Sequence, residues 1–91
     1  MEVECRFYGP FRGDVGEKQI TYETDAETFG ELLSELSTTY PELDGRLIEN
    51  EEIAHSTVVT KGKKDIRHLD GPATELDDGD VIRLTPSVYG G

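Results

Sequence analysis

The first part of the chain alternates apolar and polar side chains, which is the pattern of a β-strand with one buried face. The apolar side chains are Val3, Cys5 and Phe7, and charged residues stand between them. A glycine-rich stretch, GPFRGDVG, follows and predicts a turn, after which the alternation returns in KQITYET. These segments therefore predict a hairpin of two strands joined by a long loop.

A different period begins at position 28, where apolar residues recur every three or four positions, as on one face of an α-helix. Thr28 and Glu31 fit a capping box, in which each side chain bonds to a backbone N–H at the start of the helix. Pro41 ends the predicted helix, because its ring and its missing N–H do not fit a helix interior. The predicted buried face consists of Phe29, Leu32, Leu33, Leu36 and Tyr40.

The second half of the chain predicts shorter elements. PELDGRLI fits a short helical turn, and ENEEIAHS fits an exposed acidic connection. TVVT, the glycine-centred turn KGKKD and the following IRHL predict a second, weaker hairpin. VIRLT predicts the last strand, with Ile82 and Leu84 on one face. Pro86 is predicted to end its ladder, because proline has no N–H to donate.

The loop GPATELDDGD precedes this last strand, and Leu76 is its one clear apolar anchor. Its acidic part, DDGD, has two interpretations: a cation site, or a tight turn in which Gly79 adopts a positive φ. The turn is favoured, because aspartate and glycine in this arrangement are typical of turns.

The order of elements is strand, strand, helix, strand, weak strand, strand, which provides one helix to cover one face of a sheet. The expected fold class is α+β, a ubiquitin-like β-grasp in which a mixed sheet of about four to five strands packs on one main helix. The first and last strands are expected to lie adjacent and parallel at its centre. The predicted organisation is a β-grasp domain, residues 1–86, and a flexible C-terminal Gly-Gly tail, residues 87–91.

Charge narrows the choice of partners. The chain has 20 Asp and Glu against 9 Lys and Arg, a net charge of −11, which argues against binding to nucleic acid or to anionic membrane surfaces. No run approaches the roughly 18 apolar residues of a membrane span, and the start lacks the features of a signal peptide, so a cytoplasmic location is expected. Such an acidic excess favours a halophilic, archaeal source, with an ordinary acidic protein as the alternative.

Motifs for catalysis are missing from the sequence. One cysteine and two histidines give no metal-ligand spacing, and no nucleophile stands with a base or a cofactor motif. We therefore expect no catalytic residue, no metal and no bound cofactor, and a protein that is not an enzyme.

Three blocks carry a family resemblance over nearly the whole chain: RFYGPFRGDVGEKQ, TFGELLSELSTTYPEL and VVTKGKKDIRHLDGPATELDDGDVIRLTPSVYGG. In this order they resemble the MoaD and ThiS sulfur carriers and, in particular, the small archaeal modifier proteins, which are similar to ubiquitin. The resemblance implies that an ATP-using activating enzyme adenylates the carboxylate of Gly91. It also implies that Gly90, Tyr89 and Val88 are the tail residues that fit this enzyme.

Two products can follow from the adenylate. Attack by a lysine amine joins Gly91 to a target protein by an isopeptide bond, as in ubiquitin tagging. Attack by a sulfur donor gives a thiocarboxylate for molybdopterin (molybdenum cofactor) synthesis or tRNA thiolation, with the large subunit of molybdopterin synthase as a candidate partner. The modifier function is favoured by the acidic, archaeal composition. Thr85-Pro86 replaces the Pro-Pro pair common in molybdopterin-synthase small subunits, and Tyr89 replaces a small residue, so the acceptor stays open.

A non-covalent β-grasp binding module is the second alternative. Two further sets of residues are candidates for contacts with partners. The lysines could accept another copy of the tail, with simple solvation as the alternative. They are Lys18, Lys61, Lys63 and Lys64. A candidate docking surface on the sheet consists of Tyr8, Phe11 and Val81.

Raising a chloride salt from low to molar concentration is expected to raise the melting temperature of the domain clearly. The reason is that repulsion among 20 acidic side chains weakens when the Debye length falls to ~3 Å. Thermal melts followed by circular dichroism across a salt series make the measurement. A melting temperature that is indifferent to salt would remove the halophilic interpretation.

Overall fold

The computed structural model describes residues 1–87, and residues 88–91 lie outside the described part. The described chain contains two α-helices and seven strands, several of them only two residues long. In chain order they are β1 (Glu2–Phe7), α1 (Pro10–Val15), β2 (Gln19–Glu23), α2 (Phe29–Thr39), β3 (Ile48–Glu49), β4 (Glu52–Ile53), β5 (Thr57–Lys61), β6 (Lys64–Asp65) and β7 (Val81–Pro86). Short 3₁₀ turns occur at Pro41–Leu43, Ile66–His68 and Gly71–Ala73.

Five of the strands form one mixed sheet in the order β2-β1-β7-β5-β6. The first and last strands, β1 and β7, are parallel neighbours at its centre, and Cys5 stands opposite Ile82. The other pairs in this sheet are antiparallel. The predicted β-grasp, a mixed sheet of about four to five strands on one main helix, is therefore confirmed.

The core lies between the inner face of the sheet and α2. Val3, Cys5 and Phe7 of β1 are buried there, as the alternation predicted. The predicted helix face is buried as well, and its four helical members, Phe29, Leu32, Leu33 and Leu36, are fully buried. Tyr40 follows the helix, is half-buried and meets the ring of Phe7 edge-on, with 6.3 Å between ring centres.

The capping box at the start of α2 is confirmed. The backbone N–H of Glu31 donates to Thr28 Oγ1 at 3.3 Å, and the backbone N–H of Thr28 donates to Glu31 Oε1 at 3.2 Å. These two bonds satisfy donors that the first helical turn leaves without a partner in the helix. At 11 residues α2 is the longer helix, and neither described helix is long and apolar enough to cross a membrane.

The predicted long loop between β1 and β2 instead contains the short helix α1. Pro10 fits its first turn, where a missing N–H costs nothing, and Phe11 points into the core. Gly16 ends the helix with a φ of 87°, in the left-handed region that favours glycine. A six-residue helix with a glycine in it is too short to show a helical period.

The predicted acidic connection ENEEIAHS also has more structure than expected. Asn50 and Glu51 both have a positive φ, 52° and 65°, and form the two-residue turn between β3 and β4. Ile53 and Ala54 are buried, so the prediction of a fully exposed connection is wrong at these positions. Strands of two residues give no visible alternation.

The second hairpin is present, but its second strand differs from the prediction. β5 pairs with Lys64–Asp65. The segment IRHL, predicted as part of the hairpin, instead begins with a 3₁₀ turn. Asp65 caps this turn, because the backbone N–H of Arg67 donates to Asp65 Oδ1 at 2.9 Å. Leu76 is buried and Gly79 has a φ of 85°, which confirms the anchor and the tight turn predicted before β7.

Leu33→Asp or Leu36→Asp is expected to unfold the domain, because either change places an unpaired charge in the core between α2 and the sheet. Ser34→Asp is the matched control, because Ser34 lies between them on the same helix and is exposed. Thermal melts compare the three variants. A cooperative transition near the wild-type temperature for Leu33→Asp would contradict the assignment of the buried face.

Candidate functional site

The candidate site is the C-terminal end of β7, from which the last residues of the chain continue. Pro86 is buried and pairs with Thr57 of β5, and the backbone N–H of Ser87 donates to the carbonyl of Ser56 at 2.8 Å. The strand and its ladder with β5 end at Pro86, as predicted, although Ser87 still bonds to the backbone beside β5. The four positions Val88, Tyr89, Gly90 and Gly91 lie outside the described residues, and their predicted roles stay predictions.

Proline is tolerated in this central strand because of where its nitrogen faces. Along a strand, the backbone N–H and C=O groups of successive residues point alternately to the neighbouring strand on one side and to the one on the other side. The N–H of Ser87 points toward β5. The nitrogen of Pro86 therefore faces the β1 side, where the last bond is the one from the Tyr8 N–H to the Leu84 carbonyl at 3.1 Å. Because β1 has already ended there, the missing N–H removes no ladder bond.

Thr57 lies on β5, opposite the end of β7, and its hydrogen bonds fix the backbone there. It is buried, and its Oγ1 donates to the carbonyl of Arg46. Its own carbonyl accepts from Arg67 Nη1 at 2.7 Å, and Arg67 Nη2 donates to the carbonyl of Ala54 at 2.6 Å. Side chains from two separate segments thus fix the backbone beside Pro86.

Three arginines gather at this end of the sheet, although the chain as a whole is strongly acidic. Arg67 contacts Thr57, as described. Arg12 Nε donates to the carbonyl of Phe7 at 2.9 Å. The guanidinium of Arg46 lies 4.9 Å from the ring centre of Phe11 and pairs with Asp14. Positively charged side chains therefore lie near the end of β7.

One of the three residues of the predicted docking surface is buried. Phe11 is 1% exposed, so its assignment to an exposed patch is wrong. Helix α1 turns its side chain into the core, which the loop interpretation of the sequence did not anticipate. Tyr8 and Val81 are half-buried and alternate with the core residues Phe7 and Ile82, which places them on the outer face of the sheet.

Sequence reasoning missed further residues on this outer face. Arg6 and Arg83 stand opposite each other on β1 and β7, and Arg6 pairs with Glu4. Val58 is half-buried on the neighbouring strand β5. The alternation in β1, β5 and β7 was the available signal, since it assigns these residues to the face opposite the core.

The candidate acceptor lysines differ in their surroundings. Lys18, Lys63 and Lys64 are exposed. Lys61 is instead held by three oxygens: Nζ lies 2.7 Å from the Glu75 carbonyl, 2.6 Å from Asp77 Oδ2 and 2.9 Å from Asp80 Oδ2.

The surroundings of Lys61 favour its charged form. Burial alone would lower its pKa, but the bonds to Asp77 and Asp80 outweigh burial and raise the pKa above its ordinary value. A protonated amine has no free electron pair, so Lys61 is less suited to attack an acyl group than the three exposed lysines.

Two further kinds of reactive group remain: side chains that could bind a metal ion, and the thiol of Cys5. Within residues 1–87 there is no group of three or more His, Cys, Asp or Glu side chains placed to hold a metal ion. Cys5 is buried, and burial, followed by the nearby charge of Glu4, raises the pKa of its thiol to about 12. The thiol is therefore protonated and inert at neutral pH.

Comparison with known proteins relates the chain to one family over almost its full length. The model of the ThiS family matches residues 5–91. The small archaeal modifier protein 3 of Haloferax volcanii is 45% identical over 92 residues, which cover 100% of this chain and 100% of that protein.

Two solved structures are similar in fold and in sequence. The solution structure of the Haloferax volcanii HVO 2177 protein is 44% identical with a TM-score of 0.87, covering 100% of this chain and 87% of that chain. A chain in the crystal structure of the Amycolatopsis orientalis BexX/CysO complex is 26% identical with a TM-score of 0.82, covering 98% of this chain and 99% of that chain.

Lys61→Met is expected to lower the melting temperature at neutral pH, because it leaves two neighbouring carboxylates without their cation. The bond from Lys61 lowers the pKa of Asp77, so it stabilises the fold above the ordinary value of 3.8 and is lost as the pH falls through the lowered value. The variant should therefore lose part of the acid-dependent fall in stability that the wild type shows. Melts between pH 2 and pH 7 at one fixed salt concentration measure both effects.

The matched control is Lys63→Met, which removes an exposed lysine from the same hairpin. Lys63→Met should leave the fall in melting temperature at acidic pH unchanged. If Lys61→Met and Lys63→Met give the same curve, the bridge to Asp77 does not contribute to the fold.

Proposed function

Since the chain belongs to the ThiS family, we propose that it acts as a ubiquitin-like protein modifier. An ATP-dependent activating enzyme adenylates the carboxylate of Gly91, and an isopeptide bond then joins Gly91 to lysines of target proteins. One observation carries the proposal: a relative that is named a small archaeal modifier protein is 45% identical over the whole chain, and this chain ends in Gly-Gly. The cytoplasm is the proposed location.

The chemistry explains why an activating enzyme is needed. A carboxylate is a poor electrophile, because its charge is delocalised over two oxygens. Reaction with ATP gives an acyl-adenylate and releases pyrophosphate. A neutral lysine amine then attacks the carbonyl carbon, AMP leaves and the nitrogen loses a proton. ATP is a substrate of the activating enzyme, and this chain is a substrate of that enzyme and not itself an enzyme.

The structure supports this function through the position of β7. The strand is central and bonded on both sides, so the backbone is anchored as far as Ser87. Four residues follow, which span at most about 13–14 Å when extended. Gly90 and Gly91 have no Cβ, so a narrow site can approach their backbone closely. Val88 and Tyr89 are the side chains that the activating enzyme would contact.

The outer face of the sheet is the proposed surface for the activating enzyme. It carries Tyr8, Val81 and Val58 as half-buried apolar side chains, with Arg6 and Arg83 between them. The name of the BexX/CysO complex supports a partnership with another protein in this group of folds. Among the lysines of this chain, Lys18, Lys63 and Lys64 are the proposed acceptors if copies are joined to one another.

A sulfur carrier is the second candidate function, and the match to the ThiS family model favours it. In that function a sulfur donor attacks the same adenylate, AMP leaves, and Gly91 then carries a thiocarboxylate for molybdopterin synthesis or tRNA thiolation. The large subunit of molybdopterin synthase is then the proposed partner. A non-covalent binding module is the third candidate, and it alone requires no free C-terminus.

The test expresses the chain with an N-terminal affinity tag in Haloferax volcanii cells. Trypsin cuts after Arg83, and no Lys or Arg follows, so each modified lysine is expected to carry the eight-residue branch LTPSVYGG. Mass spectrometry of the purified conjugates identifies it. A variant without Gly91 and one with a single serine after Gly91 are expected to give no branch. Both should keep the wild-type melting temperature, because a terminal change removes few contacts.

Each outcome separates one function from the others. Branched lysines that depend on Gly91 support the modifier. An intact chain in which sulfur replaces one terminal oxygen, without branched lysines, would overturn it in favour of the sulfur carrier. If neither product forms and the serine-extended variant binds the same proteins as the wild type, the binding module is correct.

A further inference from the structure

A groove runs along the exposed flank of α2, on the side of the molecule away from the outer face of the sheet. It lies between the first half of α2, the β3–β4 turn and the Gly71–Ala73 turn, and its volume is about 660 Å³. That volume is in the range of binding clefts in proteins. Its lining consists of Thr28, Gly30, Glu31, Ser34, Ile48, Asn50, Glu51, Pro72 and Ala73.

The floor of the groove is apolar and depends on one glycine. A Cβ added at Gly30 would lie 3.1 Å from both the Cβ and the carbonyl oxygen of Pro72, so the glycine allows the turn to approach the helix. Ile48, Pro72 and Ala73 provide apolar surface. Ser34 and Ile48 also line a neighbouring cavity of about 430 Å³ that extends the groove toward Pro41. The groove is therefore long enough for a peptide segment.

The charged side chains that line the groove are acidic. Residues 19–60 contain ten acidic residues and a single basic one, Arg46, which already pairs with Asp14. The charged residues in the lining itself are Glu31 and Glu51. The acidic residues of this segment are Glu23, Asp25, Glu27, Glu31, Glu35, Glu42, Asp44, Glu49, Glu51 and Glu52.

We infer that the groove binds a basic segment of a partner protein, with one apolar side chain on the floor and Lys or Arg side chains beside Glu31 and Glu51. Complementary charge attracts such a segment and repels acidic ones. A second copy of this chain is disfavoured, because each copy carries a net charge of −11 and its C-terminal segment VYGG ends in a carboxylate.

This binding goes beyond the proposed function and does not depend on it. The groove lies on the helix side, whereas Tyr8, Val81 and the end of β7 belong to the sheet. A partner can therefore occupy the groove while another protein contacts the outer face or while Gly91 is joined to a target. Such a partner would recognise the folded domain and not its C-terminus.

The probe is the acetylated and amidated peptide Gly-Lys-Arg-Leu-Arg-Lys-Gly, titrated into the isotopically labelled full chain. Amide chemical shifts of Gly30, Ser34, Asn50 and Ala73 are expected to move, while those of the outer face stay. A peptide with Gly in place of Leu tests the apolar anchor, and one with Glu in place of Lys and Arg tests charge. Both should bind at least tenfold more weakly.

Glu51→Lys is expected to weaken binding of the first peptide about three- to tenfold, the effect of losing and reversing one exposed ion pair. The matched control is Glu17→Lys, an exposed residue that lines a different cavity, and it should change the affinity less than twofold. Ser34→Tyr, which fills the groove from an exposed helix position, should abolish binding, whereas Thr21→Tyr on the edge strand β2 should not. Glu31 is not varied, because it caps α2.

Three results would overturn the inference. One is equal weakening by Glu51→Lys and Glu17→Lys, which would mean non-specific attraction to an acidic surface. Another is tight binding of the peptide without Leu. The third is movement of the same amides with protein concentration alone, which would make a second copy the occupant. Circular dichroism melts of each variant exclude loss of folding as the cause of weaker binding.

Discussion

The parallel pairing of β1 with β7 is the contact on which the rest of the molecule depends. β2 extends the sheet from β1, and β5 extends it from β7, so both edges are attached through these two strands. Parallel neighbours cannot be joined by a tight turn, which means that the chain must pass over the whole domain between them. The helix α2 lies on this path and covers the inner face. The end of the chain is therefore bonded at the centre of the sheet until its last few residues.

Charge divides the same molecule into two regions of different character. Most of the net negative charge lies in residues 19–60, which include α2 and the β3–β4 hairpin and contain ten acidic residues against one basic residue. Four of the five arginines lie outside this segment, and two of them, Arg12 and Arg67, bond to backbone carbonyls near the end of β7. A net charge alone describes this surface poorly, because the two regions would attract different partners. The acidic region is also the part most exposed to self-repulsion when salt is low.

The sequence predicted the elements that have a strong period. β1, α2 and β7 each place several residues on one buried face, and each was identified with its core residues. α1 and the β3–β4 hairpin could not be predicted in this way, because a six-residue helix has fewer than two turns and a two-residue strand has a single repeat, which is too little to show a period. The misassignment of Phe11 has the same origin, since an aromatic residue between glycines looks exposed until α1 turns it inward.

The candidate site was predictable only in part. The Gly-Gly end and the family resemblance predict Gly91 as the reacting residue, and this prediction rests on sequence alone. The support beside it comes from Thr57, whose hydroxyl donates to the carbonyl of Arg46, and from Arg67, which donates to the carbonyl of Thr57, so that segments distant in the chain are joined. Such bonds produce neither a periodic pattern nor a motif in the sequence. The groove beside α2 could not be predicted from the sequence either, because it depends on the close approach of Pro72 to Gly30.

The burial of Cys5 has a consequence for the chemistry of the whole chain. It is the sole cysteine, it stands opposite Ile82 at the centre of the sheet, and its thiol is protonated. The folded surface of residues 1–87 therefore offers no thiolate that could exchange with a disulfide or with a sulfur-bearing acyl group. Two copies cannot become cross-linked through their side chains by oxidation while they stay folded. A reagent specific for thiolates would therefore leave residues 1–87 of the native protein unmodified.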